Sequence, residues 1–559
     1  MTAIKNNIFG PMLPKMSVEL LPDSTAAFAQ NLRHVSGALD GWGIPATVPG
    51  MTMPGSSLIK TLYRFGKDTA SKTNYWFQFT GDVNIVKGPV NTDTEERTYW
   101  TDGVYPKKTK ASIAGLSAGS SITPASLRMG VPPPGWAGDS SPNTFTPVAS
   151  VQGVATDPAS TPTTSTYVIT YVTTWGEESM PGNPSNIVTW RAGQNVAITC
   201  PGAYSGAYDI NRIRLYRSST GTSRTTFQKA GERPVGTANH YDTLLPAQLG
   251  EVCPTWDFAP PADGMIGLTD LGNGILAAFE KNTISFCEPN YPYAWPGKYD
   301  LTVSAPIVGM KVFGQTLVVG TTDGIVLVSG VDPSSMSMDT PKGLQSCVSK
   351  RSMVEMMVGA VNGVVYAGPD GLMLISGSGH TNLTDRILSK DEWVSYAPST
   401  IDGYTIDGRY YAFYDNGGTQ ACLIFSFGED AGMVACDQYI TAGYSEERSD
   451  ALFVVQRVST TNTLKEWGVG ARAAVTWRSK DYNYYSGVCM ARAMVVARAY
   501  PVTFKLYSDG VLRHTQTVTN AFPFTLPDGR ASKIAYQIES TNIVTDVRIA
   551  TSARELGNG

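Results

Sequence analysis

Charge is scarce in this chain. Asp, Glu, Lys and Arg make up 16% of its 559 residues, against about a quarter in ordinary domains. The charge present nearly cancels, leaving −4. That balance argues against a general nucleic-acid binder, which would neutralise phosphates with a basic face. Histidine is rarer still. His34, His240, His380 and His514 stand apart, with no second histidine at helical spacing and no cysteine cluster beside any of them. The sequence therefore offers no zinc site, and each reads as a surface or turn residue. The seven cysteines are odd in number, dispersed, and never at Cys-x-x-Cys spacing. Reduced, mostly buried thiols and synthesis in a reducing cytoplasm are the expectation. No uncharged apolar run approaches the roughly 18 residues of a membrane span. The opening stretch Met1 to Asn7 has no apolar run behind its charge, so no secretory signal is expected. A phosphate-binding Gly-x-x-x-x-Gly-Lys-Ser/Thr loop is also missing.

Turn and strand formers fill the chain instead, with 56 Gly, 35 Pro and 27 Tyr among many Thr, Ser and Val. One pattern occurs twice. Leu317-Val-Val-Gly320 leads through Asp323-Gly324 to Ile325-Val-Leu-Val-Ser-Gly330, and Val364-Val-Tyr-Ala-Gly368 leads through Asp370-Gly371 to Leu372-Met-Leu-Ile-Ser-Gly377. Asp-Gly between two apolar runs signals a hairpin whose turn needs φ > 0, so Asp323, Gly324, Asp370 and Gly371 are predicted structural turn residues. Fainter copies begin at Gly274, Gly408 and Asp450. Aligning Ala277, Val318, Val365, Tyr411 and Phe453 gives spacings of 41, 47, 46 and 42. Such a period suits the four-stranded blade of a β-propeller and predicts about five units over residues 262–465. A β-sandwich with chance hairpin similarity is the alternative.

A chain this long exceeds one ordinary core, so two to four domains are expected. Residues 1–60 read as an irregular docking segment, with Asp23-Ser24 capping a predicted helix over 25–32. Residues 61–147 read as a first blade followed by a connector over 106–147, which has too few apolar residues for a core. Residues 148–256 carry short strands between turn signals and predict an inserted β-sandwich. Their order resembles a fibronectin type III domain, with Arg214 and Tyr216 on an anchoring strand. Blades follow over 257–465. Alternating strands over 466–559 predict a C-terminal β-unit, which either closes the propeller or forms a sandwich. The fold class is all-β.

Motifs that could carry chemistry are sparse. Gly115-Leu-Ser117-Ala-Gly119 matches a nucleophile elbow in letters, but the buried strand before it and the helix after it are missing. Glu95-Glu96, Glu177-Glu178 and Glu446-Glu447 are adjacent acids, and neighbours on a strand point to opposite faces. They read as solvated turn acids. Asn91-Thr-Asp93-Thr-Glu95-Glu96 lacks the glycine and spacing of a calcium loop. No catalytic, cofactor-binding or metal residues are expected, and the protein is read as a non-enzyme.

Three places carry a further likeness: Gly10, Leu21-Pro22, Ala26-Ala27, Asn31 and Gly37-Ala-Leu39; then Tyr99-Trp100, Asp102-Gly103-Val104 and Pro106-Lys107; and last Trp477, Ser479-Lys480 and Ala550 to Glu555-Leu556. In that order they resemble the opening, the early strand-turn segment and the close of the tail nozzle proteins of short-tailed bacteriophages, the tail tubular protein B family. The resemblance implies a virion protein without a catalytic signature, made in the bacterial host cytoplasm. Six copies would form a ring beneath the portal and adaptor, contact tail fibre proteins, and conduct genomic DNA without sequence-specific contact. A weakly acidic wall suits that passage, since a basic one would hold the phosphate backbone. The alternative function is a propeller-based phage adhesin or glycosidase acting on host surface glycans.

Overall fold

The second strands of the repeats are apolar on both faces, and the structure shows why. A computed structural model describes residues 3–557 apart from 67–70, 91–92, 136–144, 203–206, 221–224, 429 and 447–448. Strand accounts for 47% of the chain and helix for 6%, so the protein is all-β. Among the described residues, seven largely antiparallel sheets each begin with a lead strand. These are β1 (Thr61–Arg64), β2 (Asn84–Lys87), β3 (Ile266–Gly272), β4 (Ile307–Phe313), β5 (Val354–Val358), β6 (Asp402–Ile406) and β7 (Ala442–Glu446). Five of them, β3 to β7, fall in the stretch where five units were expected.

Lead strands touch in succession, β2 to β3, on through β4, β5 and β6 to β7, and β7 back to β1. The remaining step, from β1 to β2, is made by Thr61 at the start of β1. Its hydroxyl donates to Gly81 O at 2.9 Å and accepts from Val83 N at 3.1 Å, just ahead of β2. Each neighbouring pair of sheets also shares an apolar core. Val318 packs toward Val364 and Tyr366, while its strand neighbours Leu317 and Val319 pack toward Ile275 and Phe279. The second strand is thus covered on both sides, which requires a continuous apolar run instead of alternation. Ala277, Val318, Val365, Tyr411 and Phe453 all lie buried in the second strand of their sheets. Burying one such Val or Phe contributes about 1.5–3 kcal/mol.

The two ends of the chain complete this arrangement. Ala46–Thr47 adds the outer strand to the β7 sheet by pairing with Thr461–Glu466. Phe28–Gln30 lies between Gly432–Cys436 and Val475–Arg478, extending the β6 sheet into the C-terminal strands. The helix predicted over 25–32 is therefore a strand. Its cap and alanines favour a helix locally, but Ala26, Ala29 and Leu32 are buried in a slot between two strand edges whose backbone groups need partners. Ala3–Asn6 pairs with Val544–Ala550 in a further sheet.

Residues 148–256 build three small sheets from their own strands alone. Tyr167, Tyr171, Trp190 and Leu215 form their core, joined by Val131 from outside the segment. The stretch read as a connector is partly ordered. Lys107–Thr109 and Leu127–Arg128 are the outer strands of the β2 sheet, and Ala118 and Ile122 bridge to Asn74 and Phe77. The local shortage of apolar side chains is met by packing onto earlier strands. Part of that stretch, 136–144, lies outside the described residues.

The two Asp-Gly pairs differ. Gly371 has φ 154°, and a Cβ there would lie 2.2 Å from Thr384 Oγ1. Gly324 does not have the positive φ expected of it. The Thr321 side chain shapes that turn instead, accepting from Gly324 N at 3.1 Å and donating to Gly324 O at 2.9 Å. The loop is two residues longer than a tight hairpin and needs no left-handed residue.

Candidate functional site

Four arrangements bring distant polar or aromatic side chains together. The first joins the chain ends. Trp477 Nε1 donates to Gly10 O at 3.0 Å, and its ring meets Phe9 edge-on with centroids 5.1 Å apart. Ala27 N donates to Arg478 O at 2.9 Å, and Asn31 Nδ2 donates to Ala474 O at 3.0 Å. Lys480 Nζ reaches Leu21 O at 3.0 Å and the Asp23 carboxylate at 2.6 Å. Leu39 and Val544 exchange both backbone hydrogen bonds. Gly10 is required for close approach, since a Cβ would sit 2.7 Å from Ser24 O. Nearly all these contacts unite residues near the start of the chain with residues after 473.

The second lies where lead strands begin. Arg351, in the short turn before β5, donates to Asp82 at 2.8 Å and to Thr61 Oγ1 at 2.7 Å. Its other terminal nitrogen faces Asp402 at 3.5 Å. Lys350 adds a bond to Asp82 at 3.0 Å, and Tyr404 OH donates to Asp402 at 3.0 Å. One guanidinium thus ties the starts of β1, β2 and β6 together. Burial pushes the Asp402 carboxyl up to about 6, against the pull of Arg351. Burial also raises Asp82, but Arg351 and Lys350 outweigh it and hold that carboxyl below its usual range. Burial pushes the Lys350 amine down, against the pull of Asp82.

The third seats the segment 148–256 on the β2 sheet. Lys108, fully buried, forms an ion pair with Glu177 and stands 4.8 Å from the Trp175 ring centroid. Arg97 and Lys110 approach the same ring at 5.3 and 5.2 Å. Glu178 accepts from Arg214 at 2.5 Å and from Tyr216 and Thr170 at 2.7 Å each. Glu177 and Glu178 are therefore not solvated turn acids. Both are 3% exposed, and each serves a different charged group on a different side of the chain. Arg214 and Tyr216 do lie on one strand, Ile210–Thr220.

The fourth is a pocket of about 220 Å³ beside the junction of residues 179–180 with the β3 sheet, lined in part by Met180, Trp256, Asp257, Pro296 and Lys298. Trp256 is 45% exposed, and Asp257 and Lys298 pair at 2.6 Å on its edge.

Other expected features are dispersed. Ser117 follows a one-turn helix, Ala111–Ala114, and its carbonyl accepts from Tyr75 N, which is not the strand-to-helix setting of an elbow. Asp93 accepts from Arg97 N at 2.8 Å, Glu95 pairs with Lys110, and Glu446 pairs with Arg64 at 2.7 Å. Asn91, Thr92 and Glu447 lie outside the described residues. His34 lies in a turn and His240 and His514 on strands, all three half-buried, while His380 is exposed on a strand. Burial, helped by Arg409, pushes His34 down to about 4. Among the described residues no group of three His, Cys, Asp or Glu is placed to hold a metal ion. No helix there is long and apolar enough to cross a membrane. All seven cysteines are free thiols, six of them buried.

No family model and no curated protein matches the chain. Among solved structures it is similar to one described as the extracellular domain of a one-component system from B. thetaiotaomicron. The identity is 8%, over 94% of this chain and 81% of that one, with a TM-score of 0.26. So loose a superposition carries nothing about the fold or function of this chain.

Proposed function

We propose that this chain is a subunit of the tail nozzle of a short-tailed bacteriophage. The carrying observation is the junction of the chain ends. The residues that resemble the nozzle opening (Gly10, Leu21, Ala27, Asn31 and Leu39) and those that resemble its close (Trp477 and Lys480) belong to one hydrogen-bonded unit. Two loose likenesses far apart in sequence are thereby one structural feature. In this reading the seven sheets are the blades of a β-propeller. Ala46–Thr47 closes the seventh blade, and 148–256 is a fibronectin-like sandwich inserted after the second. The Arg351 network ties one end of the axis, which favours a structural part over an open catalytic pocket.

Six copies then surround a channel beneath the portal and adaptor, where they hold DNA and pass it during ejection, with tail fibre proteins attached outside. A closed ring needs heterologous contacts, one flank of each copy meeting the opposite flank of the next. The chain carries no catalytic role in this assembly and resides in the virion tail. Reconstruction of a virion tail at side-chain resolution tests the reading. Density for this chain should lie at the distal tube, symmetric about the DNA axis. Finding it only at the tip of a peripheral fibre would defeat the nozzle and promote the adhesin. The exposed Trp256 pocket is the one observation that favours this second reading.

A further inference from the structure

Trp256 is the largest side chain left open at the pocket beside the β3 sheet. Its ring is braced from behind by Phe227, with centroids 5.2 Å apart and planes at 64°. A bare aromatic face fixed in this way is preorganised for contact and loses little freedom on binding. Two residues on, Phe258 supports Tyr291 at 5.1 Å, and Tyr291 meets Tyr293 at right angles. Tyr291 is also 45% exposed. Asp257, next to Trp256 in the chain, is paired with Lys298.

This ion pair is exposed on both sides, 52% and 61%, so it contributes little to stability. Its acceptor and donor are available to a ligand at small cost. The pocket therefore combines an apolar plate, a thioether wall from Met180, and one carboxylate beside one ammonium. A pyranose ring has the matching chemistry. Its axial C–H face is apolar and flat enough to lie on an indole, and its equatorial hydroxyls both donate and accept. An apolar peptide or acyl chain would leave Asp257 and Lys298 paired only with each other and would gain nothing from them. A nucleic-acid strand would meet a carboxylate where its phosphate needs a cation.

We infer that Trp256, Asp257 and Lys298 form a binding subsite for a neutral hexopyranose unit of a glycan chain. Trp256 is the stacking platform, Asp257 accepts from ring hydroxyls, and Lys298 donates to a neighbouring hydroxyl oxygen. The site is independent of whether the chain assembles as a nozzle, and it goes beyond that reading. On a tail it would hold a cell-surface polysaccharide against the virion.

The test is a glycan microarray probed with the labelled full-length protein, alongside immobilised single-stranded DNA. Neutral hexopyranose oligosaccharides should be retained, and the free oligosaccharide should compete. Trp256→Ala should weaken retention at least tenfold, and Asp257→Asn or Lys298→Met severalfold. Trp256→Phe, which keeps a stacking face, should recover part of the loss. Asp257 and Lys298 are exposed at the rim, so a loss in those variants with an unchanged melting temperature reports the site and not the fold. Retention of no glycan, equal retention by the parent and Trp256→Ala, or a preference for the DNA would each overturn the subsite. None of those results bears on virion density, which decides the nozzle reading separately.

Discussion

The indole Nε1 of Trp477 donates to the carbonyl of Gly10 across 3.0 Å, joining residues 467 positions apart. Trp477 is fully buried, packed between Phe9 and Tyr536. Trp477→Phe keeps most of that packing and leaves the Gly10 carbonyl without its indole partner. Losing a buried hydrogen bond in this way should cost about 1–3 kcal/mol. Urea denaturation of the full chain should show it as a lower midpoint with an unchanged slope. Equal midpoints would mean that the contact does not hold the ends together.

Gly324 and Gly371 should respond unequally to the same change. Gly371→Val meets both an unfavourable φ and the Thr384 hydroxyl, and should cost about 2–4 kcal/mol. At Gly324 the nearest atom to an added Cβ is Leu344 O at 3.4 Å, so Gly324→Val should cost under about 1 kcal/mol. Thermal melts of the two variants side by side give the comparison. Matching shifts would refute the distinction.

Asp402 predicts a pH effect with a definite sign. Its carboxyl holds a proton up to about 6 in the folded chain, above its ordinary value near 4. The folded state thus keeps a proton that the unfolded chain has already released. The stability from this group is present below pH ~4 and lost as pH rises through 6, by on the order of 3 kcal/mol. Asp82 acts oppositely, because its lowered carboxyl contributes stability that is lost as pH falls. In Asp402→Asn the first trend should vanish. Denaturation midpoints at intervals from pH 4 to 6.5 should then diverge between parent and variant, and parallel curves would count against the assignment.

Lys108 and Glu177 are an ion pair almost without solvent. Lys108→Met should destabilise the chain by about 3–5 kcal/mol, because it strands a buried carboxylate. The double variant Lys108→Met, Glu177→Gln removes both charges and should be more stable than the single one. A double-mutant cycle by chemical denaturation measures this. Simple additivity of the two substitutions would show that the charges do not depend on each other.

The strands of the repeats were legible because they obey a local rule. A strand covered on both faces must be apolar throughout, and Leu317-Val-Val, Val364-Val-Tyr and Tyr410-Tyr-Ala display this directly. Features set by distant partners left no such trace. Residues 25–32 have the cap and alanines of a helix, and nothing nearby announces that strands after residue 430 will claim them. Glu177 and Glu178 look like turn acids until Lys108, 69 positions back, and Arg214, 36 positions on, are brought beside them. Arg351 likewise gives no hint that Asp82 and Asp402 will share it. Gly324 was misjudged for a smaller reason, since the hydroxyl of Thr321 closes the turn in place of a left-handed glycine. The aromatic pocket draws on residues 180, 256–259 and 296–298, and only folding makes them neighbours.

The strand Ala46–Thr47 pairs with Thr461–Glu466, about 400 residues further along. On a ribosome working at roughly 5–20 residues per second, residues 46–47 must wait some tens of seconds before that partner exists. Phe28–Gln30 waits longer still for Val475–Arg478. The first strands made are therefore the last to be seated. Until then each of these early segments is an unpaired strand, ready to pair with another chain. A cell crowded with many copies in production would have to keep those strands apart until the late strands emerge and each molecule closes on itself.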